Sequence, residues 1–259
     1  MAEWDSPMGP SLLVSGGFFE YNGMPWRYLV RWDGTQWHSM GEVPGAANAI
    51  ITWTDPSGVT SLYIGWSGLH NFPPLSREGI ARWTGTEWVS VGGGLLDPSA
   101  GLATVKDMAV FDDGSGLALF VAGAFSRAGG ASGILARNIA KWDGQQWHAL
   151  GLGIGGGFPE QLAVADDGRG PSLFVSGLFS TAGGGTARTI AQWVGCAGNR
   201  QCYADCDNNR VLNANDFMCF LNKYAARDPY ANCDGSSASP VMTAADFQCF
   251  LNKYAQGCP

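Results

Sequence analysis

Twice in its last sixty or so residues the chain alternates oxygen-bearing side chains along a loop and then enters an apolar run. The first stretch reads Asp205-Cys-Asp207-Asn-Asn209-Arg210-Val211-Leu-Asn213-Ala214-Asn215-Asp216. Spacing of this kind wraps a hard cation in oxygen. Calcium takes six to eight oxygen ligands, and a calcium loop supplies them from positions 1, 3, 5, 7, 9 and 12, position 7 through its backbone carbonyl. Those positions fall on Asp205, Asp207, Asn209, the carbonyl of Val211, Asn213 and Asp216, so the register of the first loop is complete. The second loop has about three extra residues around Ser237 to Pro240. Anchored from its two ends, it offers Asn232, Asp234, Ser236, Thr243 and Asp246. With fewer carboxylates it is expected to hold calcium more weakly than the first, giving one calcium site and a second, weaker one. Arg210 stands where the sharp turn of such a loop favours glycine. The competing reading is an Asx-rich turn, because turns also favour Asn and Asp.

Each loop ends in Asp-Phe and leads into the same helix-forming string, Cys219-Phe-Leu-Asn-Lys-Tyr224 and Cys249-Phe-Leu-Asn-Lys-Tyr254. On these residues the segment from about 202 to 259 resembles a type I dockerin, a paired EF-hand-type module, in the cysteine-containing form of planctomycete secreted proteins. The resemblance implies a small helical calcium module that plugs into a cohesin-like domain on a scaffold or cell surface. In that family loop positions 10 and 11 and the following helix read the partner. The matching residues are Ala214, Asn215, Leu221 and Asn222 in the first copy, and Ala244, Ala245, Leu251 and Asn252 in the second. Their near-identity would permit docking in either of two orientations. Phe217, Phe220, Phe247 and Phe250 are expected to form the core between the helices, and Asn222 and Asn252 to lie on the surface.

All seven cysteines fall at or after Cys196. Crowding of this kind in so small a segment reads as a disulfide framework formed in an oxidising compartment. Zinc is disfavoured, since no Cys-x2-Cys pair and no nearby histidine is present. Internal repetition points to Cys206 with Cys219, Cys233 with Cys249, and Cys202 with Cys258, leaving Cys196 odd. Six cysteines allow 15 connectivities, so this pairing stays one among several. Each bridge is expected to add about 2–4 kcal/mol.

The body repeats differently. Ser11-Leu-Leu-Val-Ser-Gly16 returns as Ser61-Leu-Tyr-Ile-Gly65, Ala118-Leu-Phe-Val-Ala-Gly123 and Ser172-Leu-Phe-Val-Ser-Gly177. Trp32-Asp-Gly-Thr-Gln-Trp37 returns as Trp83-Thr-Gly-Thr-Glu-Trp88 and Trp142-Asp-Gly-Gln-Gln-Trp147, with an unfinished copy at Trp193. Apolar runs bounded by glycine, with Asp-Gly at the turn, read as short strands and hairpins. Units near 11–60, 61–117, 118–171 and 172–195 then predict a mainly β domain over 1–195, of four-stranded β-propeller-like repeats. A linker at 196–201 joins it to the calcium module at 202–259. The recurrent Asp5, Asp55, Asp112 and Asp166 are expected to cap hairpin turns. Trp4-Asp5 aligns with Ala165-Asp166, so the chain is expected to start inside the last strand of a preceding unit.

No catalytic constellation emerges. His38 and His148 share a repeat position that is Val89 in the other full unit, which reads as structural. Gly151 to Gly157 lacks the Gly-Lys-Ser/Thr of a phosphate loop, and no serine sits in a nucleophile elbow. Seven of the eleven tryptophans belong to the repeated hairpins. Trp26 and Trp66 do not, and they are the candidates to stack on a sugar or partner. The net charge of −7 and the absence of a Lys/Arg cluster argue against nucleic acid, and no apolar stretch has the length of a transmembrane helix.

These observations predict an extracellular or cell-surface, non-catalytic binding or structural protein, displayed through its calcium module in polysaccharide-associated assemblies, with a glycan as a further partner class. The alternative is a piece of a glycoside-hydrolase-type enzyme that carries a dockerin. The sequence opens without a secretory signal, so it is expected to be the C-terminal portion of a longer exported protein or to have a misplaced start.

Overall fold

The computed structural model describes residues 1–6, 9–17, 28–67, 75, 78–99, 101–166, 171–193, 204, 206, 213–233, 236 and 243–256. The chain divides into two compact units, Met1–Val164 with Leu173–Trp193, and Val194–Pro259 with Ala165–Ser172.

The β region is mainly small antiparallel sheets, as its turn chemistry predicts. The first sheet takes strands β1 (Ala2–Ser6), β2 (Gly9–Ser15), β3 (Leu29–Trp32) and β4 (Trp37–Ser39) in chain order. The second repeats this order with β5 (Ala47–Thr54), β6 (Thr60–Trp66), β7 (Ile80–Trp83) and β8 (Trp88–Ser90). After the short β9 (Leu95–Leu96) come β10 (Thr104–Asp112), β11 (Leu117–Ala124), β12 (Arg127–Ala128), β13 (Ile134–Leu135), β14 (Ile139–Trp142) and β15 (Trp147–Ala149). The third sheet runs β10-β11-β14-β15, while β9, β12 and β13 form a small sheet of their own. The last stretch holds β16 (Ile154–Gly155), β17 (Phe158–Asp166), β18 (Pro171–Leu178), β19 (Thr181–Ala182), β20 (Gly185–Thr186) and β21 (Ile190–Trp193). There β17-β18-β21 make the fourth sheet and β16-β19-β20 a side sheet.

Two expectations need correction. The strand that was to end each unit instead begins the next sheet: Ala47–Thr54 pairs antiparallel with Thr60–Trp66, not with the hairpin before it. The reason lies at Asp55, whose Oδ1 accepts from Ser57 N, Ser57 Oγ and Val59 N. This aspartate closes a tight hairpin inside a sheet; it does not separate two units. Asp112 does the same through Gly114 N and Gly116 N. The N-terminal strand likewise pairs antiparallel with Gly9–Ser15, so it belongs to the first sheet and not to the last strand of a preceding unit.

The sheets pack face to face in succession. Apolar residues alternate along each second strand, as period-two geometry requires. Leu62 and Ile64 face the first sheet, with Trp88. Tyr63 faces the third, where it meets Leu119 and Val121. Phe120 and Ala122 face the fourth, where they meet Leu173 and Val175. The second tryptophan of each hairpin ties neighbours together. Trp88 Nε1 donates to Met40 O at 2.7 Å, and Trp147 Nε1 to Val91 O at 3.0 Å. Near the end of β11 glycine is needed because the neighbouring strand crosses closely; a Cβ on Gly123 would overlap the Thr104 carbonyl oxygen.

The C-terminal unit holds helices α1 (Ala214–Ala225) and α2 (Ala244–Gln256), with a 3-10 turn at Pro229–Ala231 between them. Asn213 caps α1 in a capping box with Asp216. The helices meet through Phe220 and Phe250, both fully buried, whose rings stack at 4.1 Å. Among the described residues no helix is long and apolar enough to cross a membrane.

Candidate metal site

The two loops of the C-terminal unit end alike. Asn213 N donates to Asp216 Oδ2 at 3.0 Å, and Thr243 N donates to Asp246 Oδ2 at 2.7 Å. Asn215 N donates to Asn213 Oδ1 at 2.7 Å, and Ala245 N to Thr243 Oγ1 at 3.2 Å. Residues at positions 9 and 12 of both loops are thus drawn together at a helix N-terminus, whose partial positive charge suits a carboxylate. Asp216 and Asp246 are both completely buried. Burying a carboxylate is costly without compensation, and the backbone N–H groups of Asn213 and Thr243 supply part of it.

At the head of the second loop, Asn232 Nδ2 donates to the Ser236 carbonyl at 2.9 Å, linking positions 1 and 5. Its other amide atom is different: Asn232 Oδ1 is buried and accepts no hydrogen bond. An oxygen buried without a donor costs about 1–3 kcal/mol. A cation would satisfy it, and the donor set is all oxygen, which suits calcium. Of the expected ligands, Asn213, Asp216, Asn232, Ser236, Thr243 and Asp246 are described; Asn213, Asp216, Thr243 and Asp246 each also accept a capping hydrogen bond from a backbone N–H. Asp205, Asp207, Asn209, Val211 and Asp234 lie outside the described residues. Among the described residues no three acidic, histidine or cysteine side chains converge.

Two of the expected disulfides are present, Cys206–Cys219 and Cys233–Cys249, with Cα atoms 5.7 and 5.8 Å apart. Each joins a loop to the helix that follows it. Cys196, Cys202 and Cys258 lie outside the described residues. Of the residues matched to partner reading, Ala214, Asn215, Asn222, Ala244, Ala245 and Asn252 are exposed, while Leu221 and Leu251 are half-buried. The four phenylalanines pack inward on one cluster.

In the β region, the idea that Trp66 offers a stacking face fails: its side chain is fully buried in the core between the first two sheets. Trp26 lies outside the described residues. An open recess of about 500 Å³ is lined by Asp97, Ser99, Phe125, Arg137, Asn138 and Phe158, among others. Its one carboxylate, Asp97, accepts from Ser99 N and Ser99 Oγ.

One arrangement was missed from sequence. His38 Nε2 lies 2.5 Å from Asp33 Oδ2, and His148 Nε2 lies 2.6 Å from Asp143 Oδ2. The His38 contact, with the amides of Gln36 and Thr35 and the Thr35 hydroxyl, holds the Asp33 carboxyl far below its usual range. Burial pulls Asp143 upward, but His148 and the amides of Gln146 and Gln145 outweigh it and leave it lowered. The signal was covariation within the repeat, because the unit with Val89 for His also has Thr84 for Asp. These pairs brace hairpin turns. No family model matches the chain, and no curated protein or solved structure is significantly similar to it.

Proposed function

We propose that the C-terminal unit is a calcium-binding attachment module of the dockerin type, which displays a non-catalytic, propeller-like repeat body outside the cell. The observation that carries the reading is the buried, unpartnered Asn232 Oδ1 at position 1 of a loop whose position 12, Asp246, is a fully buried carboxylate. A cation between the loop's two ends would satisfy the Asn232 oxygen, with Asp246, which also accepts from Thr243 N, as the carboxylate at the other end. Asn213 and Asp216 repeat the closing half of that arrangement. The exposed Ala214, Asn215 and Asn222, with Ala244, Ala245 and Asn252, supply two alike faces for a cohesin-like partner. The disulfides Cys206–Cys219 and Cys233–Cys249 are compatible with an extracellular setting. For the body, successive sheets of the same strand order packed face to face support a propeller-like arrangement.

Calorimetric titration of the oxidised full chain with calcium, after chelator treatment, tests the reading. Two binding events of unequal strength are expected, the weaker one lost in Asn232→Ala with the stronger retained. No heat of binding with the disulfides intact would reduce both loops to capped turns, and the attachment role would fall with them.

A further inference from the structure

Every internal sheet of the β region is covered on both sides, and the residues that do the covering recur at fixed repeat positions. Toward the preceding sheet, each contributes the Leu and the branched residue of its second strand together with its second tryptophan. Leu62, Ile64 and Trp88 are 1%, 0% and 7% exposed, and Leu119, Val121 and Trp147 are 0%, 0% and 7%. Toward the following sheet, each contributes the aromatic or Leu between them and the Ile that opens its third strand. Tyr63 and Ile80 are 1% and 0% exposed, and Phe120 and Ile139 are 0% and 2%.

The end sheets carry the same residues without that cover. On the first sheet, Leu12, Val14 and Trp37 occupy the positions of Leu62, Ile64 and Trp88, yet all are only half-buried. Trp88 and Trp147 each give their indole N–H to a carbonyl of the preceding sheet; among the described residues Trp37 has no such acceptor. On the fourth sheet, Phe174 and Ile190 occupy the positions of Phe120 and Ile139. Phe174 is half-buried and Ile190 is 58% exposed, with Leu178 at 76% beside them.

We propose that these two end faces bind each other between two copies of the chain, head to tail. The occupant of each face is argued from the internal interfaces. Three times within one chain, a face of the Phe120–Ile139 type packs on a face of the Leu62–Ile64 type, twice with the second tryptophan, Trp88 or Trp147, forming a continuous apolar cluster. The first sheet's outer face is of the second type and the fourth sheet's outer face is of the first. They are complementary by construction. Contact between unlike faces is heterologous, so two copies can close on each other or longer chains can grow.

Sedimentation analysis of the full chain over a wide concentration range, with Trp37→Arg and Ile190→Glu, is the test. The wild type is expected to form dimers or larger species, and each variant alone to weaken association at least about tenfold. Mixing the two variants should restore a heterodimer, because each retains the face that the other has lost. Ile190 is exposed, so its substitution spares the fold; tryptophan-fluorescence melting confirms this for both variants. A wild type that stays monomeric at every concentration overturns the proposal. So does association insensitive to either variant, or failure of the mixture to reassemble.

Discussion

Lys141 Nζ, on the third strand of the third sheet, donates to Asp113 Oδ2 at 2.8 Å, and the two side chains are only 9% and 1% exposed. Lys141 also donates to Ser115 Oγ at 2.8 Å, so one cation grips the whole turn between β10 and β11. Arg31 uses the same position in the first sheet to reach Ser11 Oγ at 3.2 Å. Removing one member of a buried pair strands the other's charge and costs about 3–5 kcal/mol. Lys141→Met and Asp113→Leu are each expected to destabilise the β region on that scale. The double variant is expected to lose less than the sum, with a coupling above about 1 kcal/mol. All eleven tryptophans precede residue 196, so urea unfolding followed by tryptophan fluorescence reads this unit alone. Strict additivity would mean the pair is incidental.

The same carboxylate sets a pH dependence. Burial raises Asp113, but Lys141 and Ser115 outweigh it, and its pKa lies below the ordinary 3.8. Asp143, Asp33 and Asp55 are lowered too. A group whose folded pKa is depressed contributes stability that is complete above its unfolded value and is lost as the pH falls through its folded value. The β region is therefore expected to weaken on acidification below about pH 4. Asp113→Asn, less stable than wild type at neutral pH, should close that gap over the same window. A gap that stays constant from neutral pH into acid would show that titration of Asp113 is not part of the effect.

One backbone position is left-handed in all four repeats: Tyr28, Gly79, Asn138 and Thr189 have φ of 69°, 67°, 62° and 65°. Each gives its carbonyl to the N–H that ends the second strand, as Asn138 O does to Gly123 N at 3.0 Å. The geometry is required, and the residue types meet it unequally. A β-branched residue at positive φ is strained, so Thr189→Gly is expected to stabilise by about 1 kcal/mol. Gly79→Thr should destabilise by more, because a Cβ there already stands 3.2 Å from that of Ala103. Asn138→Gly keeps the backbone but loses bonds to Phe125 N, Ile154 O and Gly157 O from a buried site. It should cost about 2–4 kcal/mol. Thermal melts of these three variants check the order, and a stabilising Asn138→Gly would refute it.

Strand content, hairpin turns and capping aspartates were legible because each is set by a few adjacent residues, as at Asp55 and Asp112. The phase of the repeat was not. Whether Ala47–Thr54 belongs with the sheet before or after it depends on which edge its hydrogen bonds reach, and alternation alone is the same either way. The burial of Trp66 escaped for a related reason, since its position off the repeated hairpin says nothing about the neighbouring sheet that covers it. The small strands β9, β12, β13, β16, β19 and β20 sit in glycine-rich connections with no periodicity to betray them. In the C-terminal unit the spacing of oxygen-bearing side chains could be read from the sequence, but the orphaned Asn232 oxygen could not, because burial is a property of the folded loop.

The helices offer the last test, since among the described residues they lie only in the C-terminal unit and far-UV circular dichroism follows them apart from the tryptophans. Phe220 and Phe250 stack with planes 12° apart and form the centre of the cluster that also holds Cys206, Cys233, Ala204 and Ala231. Phe250→Ala removes a fully buried ring and is expected to cost about 3–5 kcal/mol. So small a core has little in reserve, and the variant should lose most of its helical signal in chelator. A ligand that binds only the folded state adds stability, about 2.7 kcal/mol at one hundred times its dissociation constant. Millimolar calcium should therefore restore much of the signal in Phe250→Ala and raise the melting temperature of the wild-type helices, while leaving the tryptophan melt where it was. Equal helical melts with and without calcium would separate the phenylalanine core from the loops and deny the loops their cation.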